Sequence, residues 1–192
     1  MRFPLQSALC PKDLRCIQCL ISAVVAVVSM IFCYLLRGGE KFFEKLFKNS
    51  FVRIFVGGCV IIVLTLIFGT DYNGGGMGMI ERIFEEGIVK PEAFLLKIIF
   101  TAITVSSGFR GGEIVPSLFI GSTLGGTLSP LLGLSPDFGA ATGMIAFFSG
   151  VTNCPFASAV ISIELFGVEG ILFFAVAAVA ARLISGKKCL YN

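Results

Sequence analysis

The chain has 192 residues, of which 56% are hydrophobic and 14% charged, and its formal net charge is +3. A soluble domain of this length neither needs nor can bury so much apolar surface, so an ordinary soluble protein is excluded. The small net charge indicates no nucleic-acid partner, and the basic residues fall beside the apolar runs, where membrane proteins carry them. The composition therefore predicts a multi-pass membrane protein.

The polar residues predict no metal, no cofactor and no enzyme. The chain contains seven cysteines at irregular spacing and no histidine. An odd number of cysteines is not a disulfide framework, and Cys16-x-x-Cys19 lacks the second pair of a zinc site. Without histidine there is no Ser–His dyad, and a carboxylate pair would have to join Glu113 and Glu164, which lie on separate elements.

The first half of the chain contains two apolar runs that are long enough to cross a membrane. Residues 17–36 and 51–68 each approach the ~20 residues needed for a ~30 Å hydrocarbon core. Between them, residues 37–49 are amphipathic, which is typical of an interfacial helix or of the end of a long tilted one. Residues 69–76 are a glycine-rich breaker that lacks the lysine and strand of a phosphate-binding loop, so we interpret them as a flexible turn.

The later elements are mostly shorter than a full crossing. Helices are predicted at residues 77–87, 91–107, 116–128, 137–151, 156–166 and 170–184. Two Ser-Pro pairs, at residues 129–130 and 135–136, bracket a turn, and residues 152–155 break the next helix pair. Short apolar segments interrupted by Gly and Pro are typical of transporters whose broken helices meet near the middle of the bilayer.

Residues 106–121 carry the clearest functional pattern. An apolar helical pattern runs into a glycine-rich break, which is followed by Glu113, by Pro116 and by a second apolar pattern. Glycine lets the backbone approach a ligand, and proline near a helix start leaves the other early N–H groups free. Those N–H groups lie at the positive end of the helix dipole and form an anion site. In a membrane, such a break is tolerated only where it is buried in protein or lines a cavity.

These residues resemble a known family, the CLC chloride channels and anion/proton exchangers. The run Gly-Glu-Ile-Val-Pro at residues 112–116 matches the frame of the family's Gly-x-Phe-x-Pro filter segment. Further segments resemble the family in the same order, at residues 68–76, 143–148, 153–157, 163–167 and 185–191. From about residue 20 onwards, the chain resembles the second of the family's two inverted repeats.

The resemblance implies an all-α integral membrane fold, a CLC-like half with short, broken and tilted helices. Residues 17–192 would form this half, ending near the start of the last helix, after a polar tail at residues 1–16. It would lie in a membrane (the cell membrane in a prokaryote) as part of a homodimer of complete protomers.

The resemblance also implies which residues bind the transported halide. Gly112, Glu113, Ile114 and Val115 would surround the anion with backbone N–H groups, and the hydroxyl of Tyr191 would close the site from the inner side. A dehydrated anion is stabilised by N–H donors and a positive electrostatic potential, provided that no cation binds it so fully that it is trapped. Alternatively, Tyr191 is an aromatic anchor at the membrane surface.

The filter segment departs from the chloride-selective pattern. Glu113 and Ile114 stand where those members usually carry an aliphatic residue and Phe, and this version resembles the bacterial fluoride/proton branch. A carboxylate beside an anion pathway is unfavourable unless it titrates or has a partner, which makes Glu113 a candidate proton carrier or gate. The alternatives are a helix cap and a partner for Arg110.

The chain also lacks a segment that resembles the family's first repeat. The predicted function is transport of chloride or fluoride, as a channel or proton-coupled exchanger, by a partial protomer that needs a first repeat. The alternative is a membrane half-domain or scaffold that does not transport and needs a partner chain. Glu164 resembles a structural position near the subunit interface, so we expect a hydrogen-bonded helix partner there.

Overall fold

The computed structural model describes residues 12–109, 111–168 and 170–186, and over those residues the chain is helical without a strand. The helices are α1 (Lys12–Leu46), α2 (Ser50–Phe68), α3 (Met77–Glu86), α4 (Ala93–Ser106), α5 (Ile114–Leu131), α6 (Pro136–Thr152), α7 (Pro155–Phe166) and α8 (Ile171–Ser185). Within the described residues, three segments are long and apolar enough to cross a membrane: Ile17–Leu46, Ser50–Phe68 and Ile114–Leu131. The predicted all-α fold class is confirmed.

The first helix is longer than either of the segments predicted for it. α1 begins at Lys12, inside the predicted tail, and continues through the amphipathic residues to Leu46. Its 35 residues span about 52 Å, well beyond the ~30 Å hydrocarbon layer. The amphipathic segment is therefore the end of a long helix. Gly39 belongs to this end, and a Cβ there would overlap the hydroxyl of Ser106, so its lack of a side chain lets the end of α4 pack against α1.

The second helix lies at the periphery and presents its apolar side chains outward. Phe51, Phe55 and Leu66 are all strongly exposed, and Gly57 is the buried residue of α2. Such a surface would be unfavourable in water, but it suits contact with lipid tails. Asn49 precedes the helix, and its side chain makes no capping hydrogen bond.

The core of the domain is built around α6. Every residue of α6 from 138 to 151 is buried, and the helix packs against α5, α8 and α1. Its contact with α5 is a backbone contact, because a Cβ on Gly125 would overlap the carbonyl oxygen of Gly139 and lie 2.9 Å from Cα of Gly143. Small residues that allow such an approach are how membrane helices gain close packing. Gly139 and Gly143 of α6 thus have a packing role.

The end of α5 differs from the prediction. The helix continues through Pro130 to Leu131, where the sequence predicted a turn that begins at a Ser-Pro pair. Proline in the last turn removes one intrahelical hydrogen bond, and the hydroxyl of Ser129 donates to the carbonyl of Gly125 at 2.8 Å. The turn follows instead, where the N–H of Leu134 donates to the carbonyl of Ser129 at 2.9 Å.

The break between α6 and α7 lies where the sequence predicted it. Asn153 adopts a left-handed conformation with φ 63°, its N–H donates to the carbonyl of Ser149, and Pro155 begins α7. The predicted hydrogen-bonded partner of Glu164 is not found within the described chain. Glu164 is exposed on α7 and has no hydrogen-bond partner among the described residues, so its interface role stays a prediction.

Candidate functional site

The chain reverses between α4 and α5 in a compact turn. Gly108 adopts φ 89°, a left-handed conformation that favours glycine. The N–H of Phe109 then donates to the carbonyl of Thr104 at 3.3 Å, and the N–H of Gly111 donates to the carbonyl of Phe109 at 3.0 Å. These bonds hold the end of the turn beside α4, and they fix where the next helix starts.

The first turn of α5 presents free backbone donors. The N–H of Ser117 donates to the carbonyl of Glu113 at 3.1 Å, and the preceding residue, Pro116, has no N–H. The N–H groups of Glu113, Ile114 and Val115 precede that first bond, and a helix supplies no partners for them. Ile114 is 44% exposed and Val115 is 37% exposed, so the described residues leave this side of the helix start open.

The position of Glu113 excludes one of the roles considered for it. Its backbone is the N-cap of α5, with φ −84° and ψ −14°, but its side chain makes no capping hydrogen bond. The carboxylate is partly exposed at the same helix start that offers the anion donors. The Glu113 side chain is therefore not a helix cap. Arg110, which the sequence suggested as a partner of Glu113, lies outside the described residues.

A cavity of about 810 Å³ adjoins this helix start. It is lined by parts of α2, of the glycine-rich segment, of α4 and of the start of α5, among them Gly75, Lys97, Thr101, Gly112 and Val115. Gly112 and Val115 are thus brought to the cavity, whereas Glu113 and Ile114 are not among its lining residues. Tyr191 lies outside the described part of the chain.

Lys97 is a residue that the sequence pattern did not single out. It lies on α4, is 1% exposed, and its ammonium donates to the carbonyl oxygens of Tyr72 at 2.9 Å and of Gly74 at 2.6 Å. The nitrogen also lies 5.0 Å from the ring centroid of Phe119 on α5. The available signal was that Lys97 is the one charge in an otherwise uncharged helix, and an ionisable residue in such a place indicates function.

The glycine-rich segment is held between Lys97 and α5, although the sequence predicted a flexible turn. A Cβ on Gly75 would lie 3.1 Å from Cγ1 of Val115, and a Cβ on Gly76 would lie 2.6 Å from the ring of Phe119. Glycine is therefore required for this approach. The combination of helix N–H groups, a buried ammonium and apolar walls is suited to a small monovalent anion. Among the described residues, no cluster of His, Cys, Asp or Glu could hold a metal ion.

Known proteins resemble this chain in sequence, and a solved structure resembles it in fold. A chloride/fluoride channel protein of Pseudomonas syringae pv. tomato is 32% identical over 191 residues, which are 95% of this chain and 42% of that protein. The H(+)/Cl(-) exchange transporter ClcA of Vibrio cholerae is 28% identical over 161 residues, 76% of this chain and 34% of that protein. A crystal structure of a CLC-type fluoride/proton antiporter matches with a TM-score of 0.94 at 30% identity, covering all of this chain and 49% of that one.

The chain spans less than half the length of these relatives. The family model described as voltage gated chloride channel matches residues 10–186. The apolar helices and the fold place the chain in a membrane, which it crosses several times. This multi-pass membrane protein therefore belongs to the voltage-gated chloride channel family, the CLC family.

Proposed function

We propose that the chain is the second-repeat half of a halide transporter and binds the anion at the start of α5. The observation that carries this proposal is the free N–H row of Glu113, Ile114 and Val115, which lies beside a cavity that also contains the buried ammonium of Lys97. Backbone dipoles and the Lys97 ammonium, which is fixed by its bonds to backbone carbonyls, attract an anion without binding it so tightly that it cannot leave.

Glu113 is proposed to couple the anion to protons. Its carboxylate lies at the N-terminus of α5 without a capping bond. An ionised carboxylate there repels an arriving anion, whereas a protonated one does not. Proton binding at Glu113 would therefore open the helix start to a halide. Two of the relatives are named as proton-coupled, one for fluoride and one for chloride, which supports a coupled mechanism.

The site is proposed to be completed by a first repeat. The donor-bearing residues Ile114 and Val115 are exposed on this chain, and an anion that has lost its water needs protein on every side. A first repeat would supply the facing wall, and the hydroxyl of Tyr191 would close the inner side. We propose further that complete protomers pair as a homodimer. The competing proposal, a half-domain that does not transport, is favoured by the same exposure.

A flux comparison tests these proposals. We expect liposomes that carry this chain together with a first-repeat chain to release fluoride faster than chloride, as measured with ion-selective electrodes. The expectation rests on Glu113 and Ile114, which make the filter segment resemble that of the bacterial fluoride/proton branch. Liposomes with either chain alone serve as controls and should release neither ion. Absence of release in the combined liposomes would favour the non-transporting half-domain.

Tyr191→Phe tests the proposed inner closure by removing one hydroxyl. A hydrogen bond to a charged group contributes about 1.5–3 kcal/mol, which corresponds to a roughly ten- to hundredfold weaker apparent affinity for the halide. The concentration dependence of fluoride flux measures this change. Tyr34→Phe is the matched control, because Tyr34 is 79% exposed on α1. An unchanged affinity in Tyr191→Phe would assign Tyr191 to the membrane surface instead.

A further inference from the structure

We infer that Lys97 is the counter-charge of the transported anion and the residue that positions the glycine-rich segment against the anion site. The inference rests on the proposed function, since it needs a halide at the start of α5. It assigns a role to a side chain that lies outside the filter segment in sequence but shares a cavity with Gly112 and Val115.

The charge of Lys97 has no neutralising partner within the described chain. Neither the ion pair of Arg53 with Glu44, at 3.4 Å, nor that of Lys90 with Asp71, at 3.3 Å, includes Lys97. Lys97 itself bonds two backbone carbonyls, which solvate an ammonium without cancelling its charge. Burial of an ammonium is unfavourable by several kcal/mol unless an opposite charge is near. A bound anion supplies that opposite charge.

The contacts of Lys97 also fix where the charge stands. Two of its three N–H groups bond the carbonyls of Tyr72 and Gly74, and the ring of Phe119 lies 5.0 Å from the nitrogen. Phe119 belongs to the second turn of α5, so the ammonium is held beside the first turns of the helix that offers the N–H donors. Charge and donors therefore act on the same region of the cavity, and both favour a monovalent anion.

A second line of contact links Lys97 to the filter segment through the glycines. Lys97 bonds the carbonyl of Gly74, the next residue packs on Val115, and Gly76 packs on Phe119. The segment between residues 74 and 76 is thus clamped between α4 and α5. Release of this clamp would let the backbone move away from Val115. The position of the clamp makes Lys97 a positioning residue as well as a charge.

A purely structural clamp predicts a different outcome from a counter-charge, and two substitutions separate them. Lys97→Gln removes the charge but keeps N–H donors for the carbonyls, whereas Lys97→Arg keeps the charge. Lys90→Gln is the matched control, because Lys90 is a half-exposed lysine that pairs with Asp71 at the surface. Each variant is studied in liposomes that also carry a first-repeat chain, with fluoride as the probe.

We expect Lys97→Gln to raise the apparent KM for fluoride at least roughly tenfold, which corresponds to about 1.4 kcal/mol, and Lys97→Arg to change it much less. In detergent, added fluoride should raise the Tm of the wild-type pair and of Lys97→Arg, and should raise that of Lys97→Gln far less. Lys90→Gln should match the wild type in both measurements.

Several results would overturn the inference. A wild-type KM and a wild-type fluoride-dependent rise of Tm in Lys97→Gln would contradict the counter-charge while leaving the proposed transport intact. If Lys97→Gln does not fold, Lys97→Met provides a second uncharged variant of similar shape. If both uncharged variants fail to fold at saturating fluoride while Lys97→Arg folds, the role of Lys97 is that of a structural clamp and not of a counter-charge. Absence of fluoride flux and of any fluoride effect on Tm in the wild type would contradict the transport proposal itself.

Discussion

Glu113→Gln should abolish the coupling of halide flux to protons and make the flux independent of pH. In the wild type, we expect flux to rise as the pH falls, because protonation removes the negative charge at the start of α5 and lets an anion approach the N–H donors. Glutamine has nearly the same shape as protonated glutamate but takes up no proton. It therefore fixes the site in the uncharged form, with halide movement retained and proton movement reduced to background.

Simultaneous records from a fluoride electrode and a pH electrode in one liposome suspension measure this effect. The protein in the liposomes is the chain with a first repeat, as in the selectivity experiment. Glu86→Gln is the matched control, since Glu86 is an exposed carboxylate at the end of α3, away from the helix start. Proton movement that persists in Glu113→Gln would show that another group carries the proton, and the proposed role of Glu113 would be wrong.

Gly125→Ala should destabilise the whole domain by about 3 kcal/mol, which is the upper end of the usual effect of overpacking. The added Cβ would overlap the carbonyl oxygen of Gly139 and approach Cα of Gly143 to 2.9 Å. Both neighbours are backbone atoms, so no side-chain rotation relieves the overlap, and α5 and α6 must separate. Because α6 lies at the centre of the core, this separation disturbs the contacts of the core as a whole.

The free energy of unfolding in detergent, compared with that of the wild type, measures this change. Gly38→Ala is the control, because Gly38 lies inside α1 and a Cβ there meets nothing within 4 Å. Alanine is the better helix former, so Gly38→Ala should leave stability unchanged or raise it by up to about 1 kcal/mol. Equal stability of the two variants would mean that α5 and α6 pack less closely than described.

Sequence patterns predicted the elements of this fold because each helix is a local property of an apolar run. The starts and ends of α2, α3, α7 and α8 lie within a residue or two of the predicted limits. The end of α5 was missed because Pro130 is unfavourable inside a helix but tolerable in its last turn. The continuity of α1 was left open, since an amphipathic run has the same pattern whether it continues a helix or begins one.

The candidate site was only partly predictable, because its parts come from segments distant in sequence. The local spacing of the filter motif predicts a functional role for Glu113. The partnership of Lys97 with residues 72–74 is a tertiary contact, and a glycine run by itself indicates only flexibility. Glu164 is a related case: the sequence predicts a hydrogen-bonded partner near a subunit interface, and within this single chain the side of α7 that carries Glu164 is exposed.

The backbone contact between α5 and α6 has a consequence for how the site can move. Where the glycines of α5 and α6 meet, backbone atoms are in direct contact with no side chains between them. We therefore expect α5 to tilt only together with α6 and the core around it. We therefore expect α5 to act as a rigid support during each turnover. The moving part would be a small one, the Glu113 side chain, whose rearrangement occurs far faster than the rocking of whole helices.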